Sequence, residues 1–88
     1  MDKFVLKVMQ YLDNPELFTE DEMWEDAYNA WAVADAATNA NAYAVAATVG
    51  SAAHAAYAYA DAEYWLDKYF KITGEDKQGY INEVERLR

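Results

Sequence analysis

Hydrophobic and polar positions alternate with a helical period along most of this chain. Near its start, Phe4, Val5, Val8, Met9 and Leu12 fall on one face of a helix. Asp2 stands where an N-cap would, and Asp13-Asn14-Pro15 should end the helix, because a residue before proline is pushed out of helical geometry. Leu17 and Phe18 supply apolar contacts in the connection. Thr19 followed by Glu22 has the pattern of a capping box. Glu20, Asp21, Glu22, Glu25 and Asp26 suit the positive end of a helix beginning there. At the other end of the chain, Tyr80, Ile81, Val84 and Leu87 share one face of a last helix, entered through Glu75-Asp76.

Between these ends the pattern changes. Half of residues 27–62 are alanine, and the span contains no Leu, Ile, Phe, Met, Lys or Arg. Alanine is the best helix former, so the span should be helical. Alanine also buries little surface, so such a helix gains stability only against a close neighbour. Ala27, Ala30, Ala34, Ala37, Asn41, Ala44, Thr48, Ser51, Ala55, Ala58 and Ala62 recur in heptad register, a seam of small residues for left-handed packing. Helix axes normally sit roughly 8–10 Å apart, and this seam predicts the short end of that range.

Gly50-Ser51 is the best candidate for a break: a glycine past a helix end and a serine to cap the next helix. Thr38-Asn39-Ala40-Asn41 is the weaker candidate. The order of residues supports Gly50, because Trp31-Ala32-Val33-Ala34-Asp35 is mirrored by Asp61-Ala62-Glu63-Tyr64-Trp65. A hairpin turning between them sets Trp31 level with Trp65 and Asp35 with Asp61. A continuous helix pairing with a second copy would give the same match, but the helix cost of glycine favours the hairpin. The fold class expected is all-α, in one domain over 1–88, with helices at about 2–12, 20–49, 52–73 and 76–87. It is an alanine-rich antiparallel helical hairpin with short flanking N- and C-terminal helices, assembled into an oligomeric bundle.

Charge narrows the functions. The 88 residues carry a formal net charge of −9, and no Lys or Arg lies between Lys7 and Lys68. Binding to a phosphate backbone needs such cations to displace counterions, so direct nucleic-acid binding is not expected and a partner with a basic surface is. The absence of cysteine removes disulfides, thiolate chemistry and cysteine-ligated metals. Residues 36–60 are uncharged for long enough to span a bilayer, yet they carry Thr38, Asn39, Asn41, Thr48, Ser51 and His54 and few strongly apolar side chains. No membrane span is expected, nor a secretory signal.

Little here points to catalysis. His54 is the sole histidine, without a serine or cysteine triad around it in the sequence, and no His/Cys metal site can be assembled from one histidine. Asp35 and Asp61 would reach similar height in the hairpin, where paired carboxylates can do acid–base work; solubilising an alanine-rich surface is the simpler use. Neither cofactor nor metal is expected. Trp24, Tyr28, Trp31, Trp65, Tyr69 and Phe70 read as core beside the seam. Tyr43, Tyr57, Tyr59 and Tyr64 fall off the seam and are available as an aromatic surface.

The stretch Asp61-Ala62-Glu63-Tyr64-Trp65-Leu66-Asp67-Lys68-Tyr69-Phe70-Lys71-Ile72-Thr73-Gly74-Glu75-Asp76-Lys77-Gln78 resembles small Ala/Tyr/Trp/Asp-rich accessory proteins of tailed bacteriophages. The resemblance implies a protein made in the cytoplasm of a bacterial host that binds and disables a host or defence component. The expectation is a non-enzymatic binding protein that presents Glu20, Asp21, Glu22, Glu25, Asp26, Tyr43, Tyr57 and Tyr59 to a basic host protein and also associates with itself. An alternative is an oligomeric sponge for a small nucleotide signal, with Tyr64, Lys68, Lys71, Arg86 and Arg88 converging between subunits. An acidic DNA mimic is a third reading, weakened because residues 36–60 hold no acid.

Overall fold

Helix ends in this chain are written by short polar side chains. A computed structural model describes the backbone of residues 1–88 and the side chains of residues 1–54 and 61–88. The helices are α1 (Lys3–Asp13), α2 (Glu20–Ala37), α3 (Ala40–Ala53), α4 (Ala55–Thr73) and α5 (Lys77–Leu87), with a 3-10 turn at Pro15–Leu17. Asp2 accepts the Val5 N–H at 3.0 Å, and Asp76 accepts that of Gln78 at 3.1 Å. Thr19 and Glu22 form the reciprocal capping box, Thr19 Oγ1 accepting the Glu22 N–H at 3.1 Å. Gly74, at φ 72°, closes α4 with its N–H on the Phe70 carbonyl.

The all-α class is as expected, but the long helices break elsewhere. Gly50 and Ser51 lie inside α3. The break falls at Thr38-Asn39, and a second, one-residue turn falls at His54. Asn39 accepts the Ala42 N–H at 2.9 Å and so starts α3. Thr38 holds the left-handed backbone (φ 50°, ψ 43°) that lets α2 stop, its N–H bonded to the Ala34 carbonyl at 2.8 Å. Glycine propensity, worth roughly 1 kcal/mol in a helix, is overridden at Gly50 by packing on both sides of α3. The 20–49 helix is thus two helices, and the expected hairpin is a three-helix layer.

Short connections make neighbours antiparallel. Hence α3 lies between α2 and α4 and packs along both, so α2 and α4 run in the same direction on either side of it. α1 covers one face of α3, and α5 packs on α1. Ala27, Ala30 and Ala34 of α2, Ala44 and Thr48 of α3 and Ala62 of α4 are all buried, which is much of the expected seam. Ala37 and Asn41 are instead exposed at the turn, and Ala55 and Ala58 lie outside the described side chains. Thr48 Oγ1 donates to the Ala44 carbonyl at 2.7 Å, as its own helix allows, and also approaches the Trp65 carbonyl of α4 at 3.2 Å. A threonine side chain spans that gap only when two backbones are close. The radius of gyration, 11.9 Å, is that of a compact domain of this length, about 12 Å.

The rest of the core is larger. Val5, Val8, Met23, Leu66, Tyr69 and Tyr80 are buried together with the alanines. Tyr69 and Tyr80 both donate their hydroxyls to Glu75, Tyr80 at 2.6 Å. The Asp2 N–H donates to the Tyr80 hydroxyl at 2.6 Å, which ties the first turn of α1 to α5. At the opposite end of these two helices, Arg88 Nε donates to Asp13 at 2.9 Å.

Candidate functional site: a tryptophan-walled cleft

The core of α3 faces α1, α2 and α4 and leaves one arc uncovered. Along that arc stand Tyr43, Ala47, Gly50, Ser51 and His54, spaced i, i+4, i+7, i+8 and i+11, which is one helical stripe. Each is exposed or half-buried, whereas Val45, Val49 and Ala52 on the reverse side are buried. α2 and α4 rise on either flank, giving a cleft of about 410 Å³. Its described lining is Trp24 and Trp31 from α2, Ala47, Gly50 and Ser51 as floor, His54 at the turn, and Asp61 and Trp65 from α4.

Small floor residues give the cleft its depth. The Trp31 indole nitrogen lies 3.7 Å from where a Cβ on Gly50 would stand. Trp31 meets Tyr43 edge-on, with ring centres 6.0 Å apart. Trp24 meets His54 edge-on at 4.4 Å, closing one end, and its Nε1–H reaches Glu20 at 3.4 Å. A smaller crevice of about 130 Å³ continues the aromatic surface between Trp24, Tyr28 and Trp31. Tyr28 is the most exposed large hydrophobic side chain described, at 78 %, and Trp31 is exposed as well, at 42 %, so the expectation that these two sit in the core is overturned.

The mirrored segments do not pack on each other as a hairpin would require, because α3 lies between α2 and α4. Trp31 and Trp65 face one cleft from opposite sides of α3. Asp61 joins them, while Asp35 is exposed on α2 outside the cleft lining. Ser51, His54 and Asp61 share the cleft. No hydrogen bond among the described residues links the three, so the nucleophile–base contact of a catalytic triad is not formed. No cluster of three or more potential metal-binding side chains occurs among the described residues.

The acids at the start of α2 have divided roles. Asp26 pairs with Lys7 at 2.8 Å, and Lys7 also lies 4.7 Å from the centre of the Phe18 ring. Glu22 serves the capping box and Glu20 receives Trp24. Asp21 and Glu25 are exposed. Tyr43 borders the cleft, and Tyr57 and Tyr59 lie outside the described side chains. Of the residues named for nucleotide binding, Tyr64 and Lys68 lie together, the ammonium 5.5 Å from the ring centre. Lys71 is exposed on α4. Arg86 is held by Glu83 and Arg88 by Asp13, so within one chain these cations do not converge.

Burial and hydrogen bonding shift the titrations at the far end of the molecule. Burial alone would push Glu75 up, but the hydroxyls of Tyr69 and Tyr80 hold it below its ordinary value of 4.5. Burial and the bond to Glu75 push both tyrosines up. No described helix is long and apolar enough to cross a membrane. No protein-family model, curated protein or solved structure matches this chain.

Proposed function

We propose that this chain is a non-enzymatic binding protein of phage type, which engages the basic surface of a host protein and thereby inhibits or sequesters it. The observation that carries the proposal is the open cleft: three tryptophans, a floor too small to fill it, and a carboxylate. Large rings supply binding area at low entropy cost, and tryptophan is a favoured anchor of protein interfaces. Exposed Asp21 and Glu25 add a negative field that would speed encounter with a basic partner. Tyr28 and Tyr64, exposed on α2 and α4, offer further surface, including for self-association.

The test is affinity capture from bacterial lysate with the wild-type chain and with an Asp21→Lys, Glu25→Lys variant, followed by mass spectrometry and a salt titration of the captured pair. The proposal expects a basic protein retained by the wild type. It expects weaker binding and a flatter salt dependence with the variant. Equal affinity of the two chains at all salt concentrations would remove electrostatic steering from the account. A nucleotide signal as cargo requires Lys68 and Lys71 to meet arginines from another subunit. A rise in melting temperature with a cyclic nucleotide would favour that reading.

A further inference from the structure

Resting on the binding-protein reading, we infer that the tryptophan cleft is a receptor for one arginine side chain of the partner. Its described lining contains three indoles, one carboxylate and the His54 imidazole, which stands edge-on to Trp24 at one end, and no lysine or arginine. An indole face attracts a cation more strongly than any other side-chain ring. A guanidinium is the cation that fits the remaining groups. It is planar and stacks on aromatic faces, and its N–H donors match a carboxylate two at a time. Asp61 is exposed at the α4 wall and forms no ion pair with a described residue. Ser51 adds a hydroxyl acceptor on the floor.

Size and field agree with this choice. About 410 Å³ lies within the range of small-ligand sites, roughly 300–1,000 Å³, and so admits an arginine side chain with adjoining backbone. Glu20, bonded to the Trp24 indole, extends the negative field beyond the cleft along α2. A quaternary ammonium ion has no N–H to give Asp61 and Ser51. An ammonium is more strongly hydrated than a guanidinium and lacks its flat face. Arginine satisfies both the rings and the oxygens.

The experiment is a proton–nitrogen NMR titration of the three indole N–H signals with N-acetyl-arginine amide, run beside N-acetyl-lysine amide and tetramethylammonium chloride. Saturable movement of the Trp31 and Trp65 signals with the arginine compound is expected, with at least severalfold weaker responses to the other two. Asp61→Asn should reduce arginine affinity about tenfold, a loss in keeping with a charge-assisted pair, while the remaining backbone signals stay in place. Trp31→Phe should weaken it to a lesser degree, since phenylalanine binds cations less well than tryptophan. Equal responses to all three compounds, or an arginine response indifferent to Asp61→Asn, would overturn the assignment. A lysate partner held equally by wild type and Asp61→Asn would overturn it too and leave the binding-protein reading standing. Loss of both the arginine response and any basic partner would remove both.

Discussion

Trp31 and Gly50 are complementary: the indole nitrogen sits 3.7 Å from the position a Cβ on Gly50 would take. That is ordinary contact distance, so a methyl group fits without moving the ring. Gly50 is also in the middle of α3, where glycine is about 1 kcal/mol worse than alanine. Gly50→Ala should therefore raise stability by about 0.5–1 kcal/mol while making the cleft shallower. Urea denaturation measures the first effect, and a drop in stability would show that α3 has no room there.

Thr38 occupies the left-handed backbone region at φ 50°, which is costly for a β-branched residue. Thr38→Gly should relieve this and stabilise the protein by about 1 kcal/mol. A destabilised variant would mean that α2 does not end in that conformation.

Lys7 and Asp26 join α1 to α2 at 2.8 Å, with both side chains largely covered. Truncating Lys7 to alanine leaves a mostly covered carboxylate without its cation, for which a loss of about 1–3 kcal/mol is expected. Asp26→Asn in the Lys7→Ala background should recover part of it. A double-mutant cycle reads the coupling, and independent, additive effects would show that the pair is not a structural tie.

Acid should weaken the Glu75 cluster. The carboxylate has a lower pKa folded than its ordinary value of 4.5, so it binds fewer protons folded than unfolded. Its contribution is complete above the unfolded value and fades as pH falls through the folded one. Tyr69 and Tyr80 shift the opposite way, upward, so their contribution is complete below about pH 10 and fades in alkali. Glu75→Gln should be less stable than wild type by about 1–2 kcal/mol at neutral pH, with the difference shrinking below pH 4.5. A gap constant across the acid range would contradict this.

Much of the helical content was legible because it is encoded locally. Asp2, the Thr19–Glu22 box and Gly74 mark ends that depend on neighbouring residues alone, and the structure has helix ends there. The middle was misread for a physical reason. Gly50 has the composition of a break, but it continues α3, because packing of that helix against its neighbours, a contact between distant residues, outweighs the local cost of glycine. Thr38 lacks any preference for the left-handed backbone, so the segment from Thr38 to Asn41 ranked below Gly50-Ser51 as a break although Asn39 is a good N-cap. The mirrored Trp31 and Trp65 suggested a hairpin contact, whereas they face one cleft across α3, because sequence symmetry cannot say that a third helix lies between them. Asp26 belonged to the acidic run by sequence and to Lys7 by structure. The cleft as a unit was invisible, because its floor is defined by what α1 leaves uncovered.

The arrangement of α3 between α2 and α4 is most directly tested by proton–proton NOE measurement around Gly50. Contacts should run from the Trp31 indole N–H to the Gly50 Hα, with unbroken helical connectivities through residues 48–53. Trp31 and Trp65 rings in direct contact, together with interrupted helical connectivities at Gly50, would instead show a hairpin turning there and abolish the cleft.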